Sequence, residues 1–454
     1  MTSNFASTAH AAGAPDIALE KRTMSKVMRR LLPFLILLYF FAFLDRVNVG
    51  FAALTMNRSI GLTPYLFGWA AGIFFIGYFI FEVPSNLALA KTGARIWLAR
   101  IMISWGIISA CGALVRGPTS FMALRFVLGA AEAGFFPGVI LYLTFWFPAR
   151  YRARVVGLFM LANPVSTALG SLVSGFILRM DGTLGIAGWQ WLFVLEGLPS
   201  VVMGFVTLRY LNDAPREARW LADDERQWLD TSLTAEAAER ERHHHYTLGQ
   251  ALTNPYVLAL GLIYFLIVTA NNGLVLWQPQ IMKTLGLAEQ WVGPVNAIPF
   301  AVGAVTMIIW GPLADRRGRY RIDLACACAV AAVGLAIAAF ATTPAMVIAG
   351  LVLAAVGGYG ALPSFWALPT TFLSGTAAAG GIALANSIGN LGGFAGPYLL
   401  GYVRATTSGY GYGLALLAGA ALAAGVISLI VRGPGNTPAE PVAFDAQVAA
   451  KNRL

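Results

Sequence analysis

Four charged side chains lie inside stretches of sequence that are otherwise apolar. Asp45 and Arg46 interrupt one such stretch, and Arg125 and Glu132 interrupt another. A charge within a hydrocarbon layer is costly, so each of these groups needs a partner or a function. They are therefore the first candidates for chemistry in this chain.

The spacing of these charges brings the two arginines to similar depths. Arg125 and Glu132 are seven residues apart, so on a helix they share a face about 10 Å apart along the axis. Arg46 and Arg125 fall about 12 and about 9 Å from the outer ends of their segments. A guanidinium group donates in a planar fork that matches a carboxylate. Arginines that face one cavity would therefore select organic anions.

Asp45 and Glu132 suit a second task, which is to carry a proton. The protonation of a buried carboxyl group depends on whether a neighbouring arginine is engaged, so an incoming anion can switch it. A proton-driven symporter requires that coupling. The alternative is that the four charges form internal ion pairs that only tie the two segments together.

Neutral polar side chains could complete the site from the second half of the chain. Asn386 and Asn390 are four residues apart and share a helical face, so both could bond hydroxyl or carboxylate oxygens. The alternative is polar contact between helices beside a glycine-rich surface. The other candidates for substrate contact are Tyr78, Asn163, Asn272, Gln278, Ser364 and Trp366.

The elements that must hold these residues are membrane-spanning helices. The chain has 454 residues, of which 58% are hydrophobic and 11% charged, and this composition excludes a soluble enzyme or a nucleic-acid binder. About twelve apolar runs are each long enough to cross the hydrocarbon layer. We therefore predict an all-α polytopic membrane protein with twelve transmembrane helices in two six-helix, pseudo-symmetric halves.

One long polar stretch divides the runs into two sets of six, and the tails are polar. The N-terminal tail lacks the short apolar core and cleavage site of a signal peptide, so we expect it to be retained. Around Trp220 and Trp228 the polar stretch has an amphipathic helical pattern. The predicted domains are a cytosolic N-terminal tail at 1–30, a six-helix half at 31–211, a cytosolic linker at 212–250, a six-helix half at 251–432 and a cytosolic C-terminal tail at 433–454.

The basic residues lie mostly on one side of this topology, which by the positive-inside rule places both termini in the cytosol. The net charge of +10 then reflects membrane orientation, and we expect no nucleic-acid partner. The exceptions among the 31 Lys and Arg residues are Arg58, Arg116, Arg179, Lys283 and Arg404 on the other side, and Arg46 and Arg125 within segments.

Two loops at matching places in the halves combine glycine with charge. Such charges could bridge neighbouring helix ends and separate when the halves rock, so we predict gating loops. The alternative is ordinary positive-inside charge. The predicted gating residues are Lys91, Gly93 and Arg95 in the first half and Gly311, Asp315, Arg316, Gly318 and Arg319 in the second.

No pattern indicates catalysis or a bound metal. The histidines at 243–245 are consecutive rather than at helical ligand spacing, and Cys326 and Cys328 lack metal-binding partners. We therefore expect no catalytic residue, no metal and no cofactor, with H⁺ as the coupling ion. Glu82 and Glu196 lie near segment ends, where capping and function are both open.

Motifs along nearly the whole chain carry a resemblance to a known family. The chain resembles the anion:cation symporter family of the major facilitator superfamily, in particular bacterial tartrate and phthalate permeases and, further off, D-galactonate and vesicular glutamate transporters. The motifs are LYFFAFLDRVNVGFAA at 38–53, GYFIFEVPSN at 77–86, EAGFFPG at 132–138, WQWLFVLEG at 189–197, WALPT at 366–370 and NSIGNLGG at 386–393.

The resemblance implies a rocker-switch fold in the bacterial inner membrane and proton-coupled uptake of a small carboxylate by a functional monomer. It implies that Arg46 binds the anion and that Asp45 and Glu132 couple protons. Arg125 would partner Glu132 and control its protonation. By the same resemblance, Ser364, Trp366 and Asn386 complete the site.

Two residues depart from the family pattern. Ala90 stands where relatives usually have an acidic residue, so the first gate would rest on Lys91 and Arg95 alone. Asn272 stands where many relatives have tyrosine, which affects substrate choice. The predicted partners are a small organic anion and the lipid bilayer. A drug or cation efflux pump on the same fold, a phosphate-ester antiporter and a non-transporting nutrient sensor are the alternatives.

Overall fold

The computed structural model describes residues 17–242, 254–372, 375–407 and 409–431, and this part of the chain folds into α-helices joined by short turns. The histidines at 243–245 and the C-terminal tail lie outside the described residues. The helices of the first half and the linker are α1 (Ile17–Ser59), α2 (Pro64–Thr92), α3 (Ala94–Ala110), α4 (Pro118–Glu132), α5 (Phe135–Thr144), α6 (Ala149–Met160), α7 (Ala162–Ile177), α8 (Gly188–Tyr210) and α9 (Asp223–Arg242).

The second half has longer, unbroken helices. A turn of three residues, 341–343, joins two of them. Its helices are α10 (Pro255–Thr284), α11 (Glu289–Arg317), α12 (Tyr320–Phe340), α13 (Pro344–Phe372), α14 (Gly375–Thr406) and α15 (Gly411–Ile430).

Eleven segments among the described residues are long and apolar enough to cross a membrane. Within a bilayer a helix satisfies its own backbone hydrogen bonds, which explains why apolar runs of this length fold as helices. Two of the segments are each built from two helices, α4 with α5 and α6 with α7. The break after α4 falls at Gly134, whose φ is +85°. The glycine-rich α14 is not among the eleven, but it packs along α2 and α10 within the bundle.

The two halves repeat the same packing. In the first half α2 packs on α4, α3 on α8 and α1 on α7, and in the second half α11 packs on α13, α12 on α15 and α10 on α14. The contacts between halves obey the same relation, because α2 packs on α14 and α7 packs on α11. The fold is therefore the pseudo-symmetric pair of halves that the sequence predicts.

The bundle has two faces, one at each end of its membrane-crossing helices. We call the face with the turns at Gly93 and Gly318 the basic face, and the face with the turns at Gly61 and Gly286 the far face. Near the far face the halves meet at backbone distance: a Cβ added at Gly293 would lie 2.7 Å from the carbonyl oxygen of Ser171.

Further contacts between the halves close the far face. A Cβ at Gly68 would lie 2.7 Å from the carbonyl oxygen of Pro397. Lys283 donates a hydrogen bond to the carbonyl oxygen of Leu54 at 3.3 Å, from the second half to the first. Small residues that let helix backbones touch are the usual means of close packing in membranes. The far face is therefore sealed by backbone contact.

The linker after α8 folds back onto the first half. Trp220 stacks on Trp146, with ring centroids 5.6 Å apart. In α9, Glu225 forms ion pairs with Arg22 at 2.8 Å and Lys26 at 2.7 Å, both on the first turns of α1. The predicted helical turns around Trp220 and Trp228 thus correspond to a short turn and to α9, which docks on α1.

Candidate functional site

A central cavity lies between the halves and holds most of the predicted substrate-contact residues. Its volume is about 100 Å³. One water molecule occupies about 10–15 Å³ by this measure, so the space corresponds to roughly seven to ten waters and suits a small organic acid. Its polar lining comprises Tyr39, Arg46, Tyr78, Arg125, Asn163, Thr167, Tyr264, Asn271, Asn272, Tyr359, Asn386 and Asn390.

Arg46 and Glu132 form the ion pair of the site. The Nε and Nη2 groups of Arg46 both donate to Oε1 of Glu132, with the Nε bond at 2.9 Å. The Arg46 guanidinium also lies 5.5 Å from the ring centroids of Phe74 and Tyr78, within reach of cation–π attraction. Glu132 is 1% exposed. The pair therefore joins α1 to α4 beside the cavity.

Arg125 has no acidic partner, although it lines the same cavity and is 1% exposed. Its Nε lies 3.4 Å from the carbonyl oxygen of Ala70, and its guanidinium lies 4.7 Å from the Phe74 ring. Its Nη1 is buried without a hydrogen-bond partner. No ion pair joins it to any carboxylate within the described part of the chain. Glu132 forms its direct ion pair with Arg46 instead, so whether Arg125 controls the protonation of Glu132 stays a prediction.

Asp45 lies outside the cavity, in a cage of hydrogen-bond donors. Its carboxylate accepts from Trp105 Nε1, from Ser109 Oγ at 2.8 Å, from Asn48 Nδ2 at 3.3 Å and from Ser200 Oγ at 3.4 Å. These donors come from α1, α3 and α8. Asp45 and Arg46 are adjacent in the sequence, but their side chains have different environments. Asp45 holds three helices together, whereas Arg46 faces the cavity.

Asparagines supply most of the polar wall on the side of the second half. Asn271, Asn272, Asn386 and Asn390 all line the cavity. Across from them, Asn163 of the first half accepts a long hydrogen bond of 3.5 Å from the Tyr359 hydroxyl. The wall is therefore uncharged but hydrogen-bonding, whereas the first half contributes two arginines.

Glu82 is a functional candidate that the sequence placed too near a helix end. It is 4% exposed and lies inside the bundle, where its carboxylate accepts from Asn386 Nδ2 at 2.9 Å. Ser387 Oγ at 3.4 Å and Asn390 Nδ2 at 3.5 Å are its further partners. One signal could have found it: Glu82 is four residues after Tyr78, so the two share a helical face.

Three predicted contact residues do not line the cavity. Gln278 is fully buried and donates to the carbonyl oxygen of Asn296 at 3.4 Å, near the far-face contacts. Ser364 is fully buried, with a hydroxyl group that has no partner. Trp366 packs against the ring of Tyr264, with centroids 5.0 Å apart, and so supports a residue that does line the cavity. In this conformation all three lie behind the wall.

Glu196 is a further buried carboxylate, and it is not a helix cap. It lies within α8, is 1% exposed and accepts from Ser174 Oγ at 2.7 Å. Its Oε2 is buried without a hydrogen-bond partner. Glu196 therefore links α7 and α8 inside the first half, away from the residues that line the cavity.

The two predicted gating loops contain tight turns at matching glycines. Gly93 has a φ of +89° and Gly318 a φ of +63°, a backbone region that favours glycine. Asp213, just after α8, accepts from the Arg95 backbone N–H at 2.8 Å and lies 3.7 Å from its guanidinium. The acid missing at Ala90 is thus supplied from the linker, so the first loop does not rest on Lys91 and Arg95 alone.

The second loop bonds in an equivalent way within its own half. Asp315 accepts from the Tyr320 hydroxyl at 3.0 Å, and Arg317 pairs with Asp323 at 3.1 Å. Gly311 lies half-buried on α11, whereas Arg316 and Arg319 are exposed. No hydrogen bond or ion pair between described residues joins either loop to the opposite half, so whether they gate transport stays a prediction.

A metal site is not found: no group of three or more His, Cys, Asp or Glu side chains in the described ranges could hold an ion.

Comparison with known proteins gives a consistent result. The chain matches the model of the Major Facilitator Superfamily over residues 35–397 and again over 262–449. It is 50% identical over 413 residues to a protein of Agrobacterium vitis named "Putative tartrate transporter", covering 91% of this chain and 95% of the relative. It is 40% identical to a quinolone resistance transporter of Acinetobacter baumannii, covering 88% and 92% of the two chains.

Among solved structures, the chain is similar to a partially occluded, inward-open conformation of the xylose transporter XylE from E. coli. The TM-score is 0.71 at 13% sequence identity, and the match covers 90% of this chain and all of the other. At this identity the likeness concerns the fold alone.

Proposed function

The chain belongs to the major facilitator superfamily and is a membrane transporter, and from that premise we propose that it carries a small organic carboxylate together with protons. The class includes tartrate, related hydroxy or aromatic dicarboxylates, and sugar acids. The relative named as a tartrate transporter, with half of its residues identical over most of both chains, supports this choice.

The guanidinium of Arg125, buried beside the cavity without an acidic partner, gives this proposal its strongest support. A buried arginine without an acidic partner is costly, and an anionic ligand in the cavity would remove that cost. The fork of a guanidinium group matches a carboxylate in two hydrogen bonds. Arg125 is therefore the docking point for the substrate carboxylate, a role that the family resemblance gives to Arg46.

Arg46 and Glu132 form the proton-coupling pair in this proposal. While Glu132 is ionised it occupies Arg46. Protonation of Glu132 weakens the pair and frees Arg46 to join Arg125 on the substrate anion. Proton and anion therefore favour each other's binding, which is the linkage that symport requires. Asp45, held by four donors outside the cavity, acts in this scheme by positioning the α1 backbone.

We further propose that the protein works as a monomer by alternating access in the bacterial inner membrane. The sealed far face supports a state in which the cavity would open towards the basic face. By the positive-inside rule the basic face is cytosolic, as are both termini. Rocking of the two halves about the cavity would break the backbone contacts at the far face and admit substrate from outside.

Uptake of labelled tartrate by proteoliposomes tests the proposal. With the vesicle exterior acidic, we expect tartrate to accumulate above its external concentration, and we expect an uncoupler to abolish accumulation. Arg125→Lys keeps the charge but loses the planar fork, so its uptake should fall sharply. Accumulation that is indifferent to the uncoupler would contradict proton coupling, and transport unchanged in the Lys variant would contradict the docking point.

Efflux of an aromatic drug is the second candidate, because a relative at 40% identity is named for quinolone resistance. The cavity contains aromatic side chains that could stack on such a drug, among them Phe43, Phe75 and Phe136. Quinolones also carry a carboxylate, so Arg125 could serve either substrate. Proton-driven export of a quinolone from inverted vesicles, with no tartrate transport, would favour this candidate.

A further inference from the structure

The contact between Glu82 and the asparagines of α14 determines which end of each amide faces the cavity. The Nδ2 group of Asn386 donates to Glu82 Oε1 at 2.9 Å, and that of Asn390 approaches Oε2 at 3.5 Å. A carboxylate can only accept hydrogen bonds, so an asparagine that binds it must present its N–H end. The carbonyl ends then point away from Glu82, and both asparagines line the cavity.

The carbonyl oxygens of these amides are available to a ligand. No described residue donates a hydrogen bond to Oδ1 of Asn386 or of Asn390. Neither oxygen is among the fully buried polar atoms that lack a partner, so both remain accessible. On the first-half side Arg46 and Arg125 contribute cationic groups that can only donate, beside the hydroxyl and amide groups of Tyr39, Tyr78, Asn163 and Thr167. The cavity thus has a cationic donor side and a neutral acceptor side.

We propose that Glu82 is a positioning residue that fixes the α14 asparagines as hydrogen-bond acceptors and so makes the site selective for hydroxylated carboxylic acids. The substrate carboxylate meets the arginines, and its hydroxyl groups donate to the amide oxygens of Asn386 and Asn390. An acid without hydroxyl groups leaves both oxygens unpaired, which disfavours it. This inference rests on the proposed function and narrows its substrate class.

Tartrate and succinate are the matched probes for this idea, since they share a carbon chain and two carboxylates and differ only in the hydroxyl groups. Gluconate and hexanoate form a second matched pair. We expect the purified protein to bind the hydroxylated member of at least one pair about tenfold more tightly, as two hydrogen bonds allow. Calorimetric titration in detergent measures both affinities and their ratio.

The decisive variant is Glu82→Gln. A glutamine has one carbonyl end and one N–H end. Its carbonyl end can accept from one asparagine as the carboxylate did, but its N–H end needs the carbonyl of the other. That second asparagine must turn, and it then presents its N–H end to the cavity. We expect the ratio of the two affinities to fall about three- to tenfold, because one acceptor is lost and a donor that suits a plain carboxylate appears. Glu82→Asp keeps a carboxylate and should keep the preference for hydroxylated acids.

Two controls separate this role from a merely structural one. Ser387 is the third partner of Glu82, and the Ser387 side chain does not line the cavity. Ser387→Ala should therefore leave the ratio of the two affinities unchanged. In a protein that already carries Asn386→Ala and Asn390→Ala, the further change Glu82→Gln should have no effect on the ratio. An equal effect in both backgrounds would show that Glu82 does not act through the asparagines.

The remaining outcomes are distinguishable. If both members of each pair bind equally well, and Arg125→Ala abolishes their binding, the proposed function stands and the selectivity assigned to Glu82 is wrong. If the ratio is large but unchanged in Glu82→Gln, the selectivity does not come from Glu82, and the inference is again wrong. If no member of either pair binds, the inference is wrong, and the proposed function stands only if an aromatic dicarboxylate binds instead.

Discussion

Arg46 and Glu132 are joined by two hydrogen bonds to a single carboxylate oxygen, and this pairing leaves Arg125 without an acidic partner. Arg125 and Glu132 lie on the same helix seven residues apart, which made them the natural pair in the sequence. The carboxylate instead reaches across to α1. Glu132 therefore pairs with Arg46 alone, and Arg125 remains available to bind an anionic ligand.

The first prediction concerns Glu132→Gln. The neutral amide cannot exchange a proton and holds Arg46 more weakly, so we expect counterflow exchange of tartrate to continue while accumulation driven by a pH gradient is lost. Loss of the buried ion pair should also lower the free energy of unfolding by about 1–3 kcal/mol. Glu196→Gln, which alters a buried carboxylate away from the cavity, is the control. Normal accumulation in Glu132→Gln would show that Glu132 does not couple the proton.

The second prediction concerns Asp45→Asn. Four groups donate to this carboxylate, and an asparagine would turn its own N–H end towards at least one of them. We expect the free energy of unfolding to fall by about 1–3 kcal/mol. Tartrate affinity should change less than threefold, because Asp45 does not line the cavity. A variant of normal thermal stability that no longer couples protons would instead assign Asp45 to the coupling step.

The third prediction concerns closure of the far face. A leucine at Gly293 would collide with the backbone of α7, where even a Cβ lies 2.7 Å from the Ser171 carbonyl oxygen. We expect Gly293→Leu to populate a state in which the far face is open, seen as a longer distance between spin labels on the far-face ends of α7 and α11. Gly419→Leu is the matched control, since a Cβ there meets nothing within 4 Å. Equal distances in both variants would contradict the seal.

The fourth prediction uses the ion pairs between the linker and α1. Burial raises the pKa of Glu225, but hydrogen bonds from Lys26 and the Ala222 backbone and the charges of Lys26 and Arg22 outweigh it, so the pKa lies below its ordinary value of 4.5. A lowered folded pKa stabilises the docked linker above the ordinary pKa, and that contribution is lost as the pH falls through the folded pKa.

The test of this fourth prediction is the distance between spin labels on α1 and α9. We expect the distance to be short at pH 7 and to lengthen only when the pH falls below 4.5, the ordinary pKa of this group. Glu225→Gln should be looser already at pH 7 and should respond little to acid. Asp230→Asn changes an exposed acid on the same helix and serves as the control. An acid-insensitive distance in the unaltered protein would contradict the role of Glu225.

The fold could be predicted from the sequence because the forces that determine it act locally along the chain. An apolar run of sufficient length must be helical in a bilayer, and charges within such a run are conspicuous. The same logic predicted that Arg46 and Arg125 meet one cavity, and both residues line it. The positions of Asn386 and Asn390 followed from helical spacing alone.

The pairing within the site could not be predicted, because it depends on how helices rotate against each other. Most of these helices are apolar all round, so hydropathy does not indicate which face looks inwards. Trp366 and Ser364 therefore lie behind the wall that they were predicted to form. The role of Glu82 was left open for a related reason. The sequence indicates roughly where Glu82 lies along its helix, but not that its partners are on α14, some 300 residues away.

Tartrate binding to Arg125→Ala, measured by calorimetric titration, tests whether Arg125 holds the substrate carboxylate. The matched control is Arg100→Ala, which removes an arginine that stacks on Trp97 outside the cavity. Loss of two charge-assisted hydrogen bonds predicts roughly a hundredfold weaker binding or more in Arg125→Ala, and an unchanged affinity in the control. Equal tartrate affinity in Arg125→Ala and the unaltered protein would contradict the assignment of Arg125 as the carboxylate-binding residue.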